Sequence, residues 1–183
     1  EPDREEDVTA HLNAAGSTAF AAQGDYPKAS QMRQAALAHY LTDIETWRNN
    51  VLRCFTALAE YADQQGQSRE ALRYYHEAQD FGKKNYPRKT REMAKVWVET
   101  GDFHRKRGQR DAALTCYQQS LMQVYHDFDN LDISANPAPV NIAVESYCMI
   151  AAARKGEALL SIASPSLADR QNAAACFELA LSA

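Results

Sequence analysis

Apolar and polar positions alternate along the chain with a helical period, in blocks that recur. Phe55, Leu58, Ala59 and Ala62 follow i, i+3, i+4, i+7 spacing, and Trp97, Thr100, Gly101 and His104 hold the equivalent places further on. Such spacing puts one stripe on one side of a helix. Gly24, Gly66 and Gly108 follow these stripes at intervals of 42 residues. Five residues after each Gly stands Ala29, Ala71 or Ala113; four further on come Arg33, Tyr75 and Tyr117, then Ala36, Ala78 and Ser120. Ala173, Phe177 and Ala180 repeat the second half once more. Each block therefore predicts two antiparallel helices, turned at a Gly that takes a left-handed conformation where the first helix ends. Small residues let the two helices approach, and the aromatic fills the space beside them. One hairpin cannot bury its faces alone, so stacked neighbours are needed and the expected fold is an all-α solenoid of antiparallel helix pairs.

Local signals set the expected boundaries. Thr42-Asp43-Ile44-Glu45 reads as a capping box. Asn85-Tyr86-Pro87 closes the second hairpin, and helices are expected over 88–107 and 109 to about 128. The segment DNLDISANPAPV then breaks the period as a loop. A helical pattern resumes near Val140 and runs to about Ala163, Ser164-Pro165-Ser166 makes a turn, and a last helix begins near Ala168. The units are thus about 5–41, 42–84, 87–128 and an irregular 139–183, within one repeat domain. In the fourth, Gly156 and Leu159 keep their places, but SPSLADRQN lengthens the corner where a Gly would stand. A longer corner costs little free energy.

Composition agrees with the pattern. The 183 residues include 32 Ala and 14 Leu against 7 Val and 5 Ile, with 7 Gly and 6 Pro. Ala and Leu lose little side-chain freedom in a helix, and β-branched residues lose more. An all-β fold, a disordered tail and a collagen-like chain are excluded. No apolar run approaches the ~18–20 residues of a membrane span, and no secretory signal pattern appears. The expected setting is cytoplasmic, without membrane insertion. The chain opens with EPDREED and stops at ELALSA inside a helical pattern, so it reads as a segment of a longer protein.

Candidate chemistry is sparse. Cys54, Cys116, Cys148 and Cys176 are far apart, each in an apolar helical stretch, with neither CxxC nor Cys/His ligand spacing. They read as buried free thiols, and no zinc site, other metal or cofactor is expected. The histidines at 11, 39, 76, 104 and 126 are dispersed, with His104 at a packing position. Gly-rich phosphate loops, HExxH and GxSxG are absent, so no catalytic residue is nominated and the chain is expected not to be an enzyme.

The repeat resembles the tetratricopeptide family, whose pattern is W-x2-L-G-x2-Y before the turn and A-x3-F-x2-A after it. Here the match runs through Trp97, Thr100, Gly101, His104, Gly108, Ala113, Tyr117 and Ser120, and through Phe55, Leu58, Ala59, Ala62, Gly66, Ala71, Tyr75 and Ala78. The first copy is looser, with Asn13, Gly16, Ser17, Phe20, Gly24, Ala29 and Ala36, and with Arg33 in the aromatic's place. The long period is similar to that of kinesin light chain and related bacterial repeats. FDNLDISANP and the irregular fourth unit also resemble repeat regions of bacterial CHAT-type, caspase-like peptidases. The first resemblance implies a right-handed superhelix that binds proteins in its concave groove. The second implies a regulatory segment of a larger enzyme. The family's dicarboxylate clamp is absent, because Ala14, Thr18 and Ala57 stand at its positions.

In the family the groove is lined by positions 2, 5, 9 and 12 of each first helix. These are Arg53, Thr56, Glu60 and Asp63 in the second unit, and Lys95, Val98, Asp102 and Arg105 in the third. The fourth contributes Ile150, Ala153, Glu157 and Leu160. Mixed charge suits a protein or peptide partner; a merely solvated helical face has the same composition. Residues 81–110 carry ten Lys/Arg against three acids. Helical spacing spreads them over several faces with no aromatic platforms between, so no nucleic acid is expected. Self-association through the C-terminal end is a further expectation, since the last helix lacks a stacking neighbour.

Overall fold

In a computed structural model of the chain, residues 2–86, 88–125, 127–138 and 146–182 are described. Those residues form helices and loops, with no strand among them. The chain divides into two compact units, Glu1–Asn85 and Tyr86–Ala183. The first holds α1 (Pro2–Ala22), α2 (Tyr26–Tyr40), α3 (Ile44–Gln64) and α4 (Ser68–Asn85). The second holds α5 (Arg91–Lys106), α6 (Arg110–Val124), α7 (Ser146–Leu159) and α8 (Leu167–Ser182). Within each unit consecutive helices pack in sequence order, and α7 also reaches α5. This is the all-α fold class of antiparallel helix pairs, the class of α-solenoids.

The three period-setting glycines do what their spacing requires. Gly24, Gly66 and Gly108 have φ of 81°, 73° and 68°, a region that penalises any side chain. At the first of these corners the N–H of Asp25 reaches back to the carbonyl of Phe20 at 3.0 Å, and that of Gly24 to Ala21 at 3.0 Å. These bonds satisfy carbonyls that the helix end leaves open. Asp25 then starts α2 by accepting from the Lys28 N–H at 3.2 Å.

Alanines occupy the closest approaches in unit 1, where Ala29, Ala36, Ala59, Ala71 and Ala78 are fully buried. Tyr40, Trp47 and His11 pack ring against ring at 5.2–5.6 Å, closing the end of that core. In unit 2 the same role falls to Gly101, where a Cβ would lie 2.5 Å from the Tyr117 ring, and to Gly156 against Phe177 at 2.8 Å. The fourth-unit aromatic thus meets its small partner although the corner between them is irregular.

Several boundaries differ from expectation, each for a local reason. The cap of α3 is Asp43, which accepts from the Thr46 N–H at 3.2 Å. Thr42 instead donates to the carbonyl of His39, finishing α2. Helix α5 begins at Arg91 because Thr90 caps it, accepting from the Met93 N–H at 3.2 Å. Helix α6 stops at Val124, four residues early, where the Lys89 ammonium collects the carbonyls of Tyr125 and Phe128 at 3.0 Å each. Helix α7 stops at Leu159 because Arg110 takes the carbonyls of Ala158 and Leu159 at 3.1 and 3.2 Å. Arg110 also binds Asp169 of α8 at 2.7 Å. The expected restart near Val140 falls on 139–145; that segment and His126 lie outside the described residues. His104 is a correction. It is half-exposed at the hairpin corner, with Nδ1 2.6 Å from Gln109 Oε1, and not in the core.

Candidate functional site

Helix α3 presents the nominated residues of unit 1. Arg53 and Glu60 are exposed and form no ion pair among the described residues. Asp63 is half-buried. Thr56 is 8% exposed, so it belongs to the packed side of α3 and does not line a groove; its hydroxyl donates to the carbonyl of Arg53 at 3.4 Å.

In unit 2 the nominated residues meet one another. Asp102 and Arg105 of α5 face Glu157 of α7, and Arg154 joins them. Arg154 Nη1 is 2.9 Å from Glu157 Oε2, its Nε is 3.3 Å from Asp102 Oδ1, and the Tyr117 hydroxyl donates to that oxygen at 2.8 Å. Two acids and two bases thus neutralise each other between two helices. Hydrogen bonding to Glu157 holds the Arg154 guanidinium above its ordinary pKa. Lys95 pairs with Glu99 at 3.5 Å on its own helix. Val98 is a correction: at 5% exposure it packs among Leu121, Tyr125, Cys148 and Leu179, because α7 lies over that side of α5. Ile150 is exposed on α7 and Leu160 just beyond its C-terminal end, and Ala153 is half-buried.

Much of the basic run at 81–110 serves the fold. Lys89 and Arg110 finish helices, Arg105 sits in the network, Lys83 pairs with Asp80, and Arg107 lies 3.7 Å over the Phe103 ring. The thiols are buried, as expected from their apolar surroundings. Burial pushes Cys116 up to about 12 and also raises Cys54 and Cys176, which keeps them protonated and weakly nucleophilic. Among the described residues no three His, Cys, Asp or Glu side chains converge on a metal-sized site. No helix among them is long and apolar enough to cross a membrane.

Two buried cations escaped the sequence reading of function. Lys155 is fully buried, and its three N–H donors meet Gln118 Oε1 at 2.7 Å, the Ala135 carbonyl at 2.7 Å and Asn136 Oδ1 at 2.8 Å. Gln118 in turn donates to the carbonyls of Asn130, Asp132 and Ala135. Together they fasten the 130–136 loop onto α6 and α7. Burial lowers the Lys155 pKa to about 8. Arg33, in unit 1, is 9% exposed, and its Nη2 donates to Thr18 Oγ1 at 2.9 Å and to the Tyr61 hydroxyl at 3.4 Å. Its buried Nε has no partner.

Helix pairs packed in order, presenting mixed-charge first-helix faces, define an α-solenoid protein. Neither a protein-family model nor a curated protein matches the chain. Among solved structures, BtubC (BKLC) from P. vanneervenii is similar, with a TM-score of 0.70 over 96% of this chain at 17% identity. This chain spans 63% of that one's length. Similarity at that identity concerns the fold alone.

Proposed function

We propose that the chain is a non-catalytic protein-interaction module of tetratricopeptide type, which binds a peptide or partner segment along the faces of its first helices. The observation that carries this reading is on α3. Arg53 and Glu60 stand exposed and unpaired on a helix whose opposite side is locked by Val51, Cys54 and Leu58, all buried. Rigid presentation of polar groups lets a partner bind without reordering the scaffold, which limits the entropy lost on association. Exposed Ile150 and Leu160 of unit 2 supply apolar contact of the kind that anchors a peptide side chain.

The test is selection of peptides from a displayed random library on the purified chain, followed by affinity measurement on the selected peptides. A variant carrying both Arg53→Glu and Glu60→Lys is expected to bind them about tenfold more weakly, the equivalent of roughly 1.4 kcal/mol. Failure of the intact chain to enrich any peptide overturns the reading.

A further inference from the structure

The two buried cations differ in a way that donor and acceptor counting exposes. Lys155 has three N–H donors and three acceptors. A guanidinium carries five N–H donors. Arg33 finds the hydroxyls of Thr18 and Tyr61 and the Cys54 thiol for them, all neutral, and it forms no ion pair with an acid among the described residues. Cys54 lies within its field, but burial pushes that thiol up and keeps it protonated, and burial likewise raises the Tyr40 phenol. Ser17, which sits 3.5 Å from the Tyr61 hydroxyl, already donates to the carbonyl of Ala14. An always-charged group, nine-tenths buried, thus stands with more donors than acceptors, its Nε without a partner, and with no ion-paired acid among the described residues. Such burial is unfavourable unless an anion completes it.

The group comes nearest to solvent beside α1. Nη2 is one hydrogen bond from Thr18, whose side chain is exposed on α1. The residues at i−4, i+3 and i+4 from Thr18 are Ala14, Ala21 and Ala22, so no long side chain on that face of α1 covers the way in. A guanidinium recognises a planar, two-oxygen anion best, since its fork matches a carboxylate.

We infer that Arg33, with the hydroxyls of Thr18 and Tyr61 beside it, is an anion-binding site in unit 1 that receives a carboxylate of a peptide partner. The inference rests on the reading of the chain as a peptide-binding module and names what that module grips. Both chain-terminal and side-chain carboxylates have the required chemistry. In either case the carboxylate accepts from the guanidinium, and the Tyr61 hydroxyl is placed to donate a further hydrogen bond.

The experiment follows the Nε–Hε resonance of Arg33 by NMR while sodium acetate is added to the intact chain, with sodium chloride at equal ionic strength as the control. A saturable shift confined to acetate is expected. No saturable shift, or the same shift in chloride, overturns the site. Two further probes identify the source: tetra-alanine with a free C-terminus against its C-terminal amide, and N-acetyl-aspartate amide. Preference for the free terminus assigns a peptide end, and preference for the aspartate assigns a side chain. The backbone amides of Thr18 and Tyr61, which flank the guanidinium, report the same acetate titration, and Arg33→Met is expected to abolish their saturable shifts while raising the melting temperature by a few degrees. A variant that keeps the acetate response overturns the assignment to Arg33. Because acetate needs no peptide, the site stands or falls separately from the peptide-binding reading: acetate binding without enrichment of peptides sinks only the latter.

Discussion

Among the described residues each unit buries one cation inside a stripe of small apolar residues, and the two have opposite surroundings. Lys155 in unit 2 is saturated by a glutamine, an asparagine and a backbone carbonyl, and through them it holds a loop. Arg33 in unit 1 has two hydroxyls and a thiol for five donors, and its Nε is left without a partner. The same contrast recurs on the first-helix faces. In unit 2 the charges of Asp102, Arg105, Arg154 and Glu157 close on one another, while in unit 1 Arg53 and Glu60 are open. A satisfied polar group fixes a conformation; an unsatisfied one is available to a partner.

The largest test of this contrast is replacement of each cation by Met. Lys155→Met strands Gln118 Oε1 and takes the charged donor from the Ala135 carbonyl and Asn136 Oδ1, which keep only Gln118 and Cys176, and is expected to destabilise unit 2 by about 3–5 kcal/mol. Arg33→Met strands only hydroxyls that can turn to other partners, and is expected to be neutral or stabilising by about 1–2 kcal/mol. Chemical denaturation read by hydrogen exchange in each unit measures both. Equal losses at the two positions break the comparison.

The next test uses pH. Folded Lys155 releases its proton near pH 8, whereas a lysine in the unfolded chain keeps it to ~10.4. Between those values the unfolded chain binds the extra proton, so this group makes stability rise with pH. The advantage of the native chain over Lys155→Met is therefore expected to widen from pH 8 to about 10.5, by up to roughly 3 kcal/mol. Buried Cys116 and Tyr117 act with the opposite sign, because they keep protons in the folded state that the unfolded chain loses. Both are present in the two proteins and cancel in the difference. A gap that stays constant with pH shows that Lys155 titrates normally.

A third and smaller effect concerns the close approach in unit 2. Gly101→Ala puts a methyl group 2.5 Å from the Tyr117 ring, which is held by its bond to Asp102. Overpacking of this kind costs about 1–3 kcal/mol. Gly101→Ala combined with Tyr117→Phe is expected to recover part of it, since the ring then moves freely. No recovery in the double variant locates the strain in the helix backbone instead.

How far the chain could be read in advance depended on what a side chain's type reveals about its surroundings. The corners at Gly24, Gly66 and Gly108 were legible because only a left-handed turn makes a Gly recur at that spacing, and the structure puts all three at positive φ. The fold class followed from the same repeat. The site was less legible. Val98 and Thr56 stand where the tetratricopeptide resemblance implies a groove, yet both are buried, Val98 under α7, and no local pattern records which neighbour lies over a face. The helix ends at Val124 and Leu159 were hidden because distant Lys89 and Arg110 make them. For the buried cations a signal did exist. Ala152, Lys155, Gly156 and Leu159 follow i, i+3, i+4, i+7 spacing, and Ala29, Arg33, Ala36 and Tyr40 follow i, i+4, i+7, i+11. A cation inside an apolar stripe is buried by its register, and the stripe says so without naming its partners.

The smallest stability effects belong to the faces, and there the comparison turns on binding. Arg53→Glu alters an exposed, unpaired charge and is expected to change stability by less than about 0.5 kcal/mol. Arg105→Glu places a third acid beside Asp102 and Glu157, so a loss of about 1 kcal/mol is expected, reduced by added salt. Against a selected peptide the order reverses. Arg53 can give its charge to a partner without breaking an existing pair, so its reversal should weaken binding more than reversal of Arg105, which must first leave two carboxylates. Affinities of the two single variants at two salt concentrations decide this. If Arg105→Glu proves the more damaging to binding, the network of unit 2 opens for its partner, and the open face of α3 is only a solvated one.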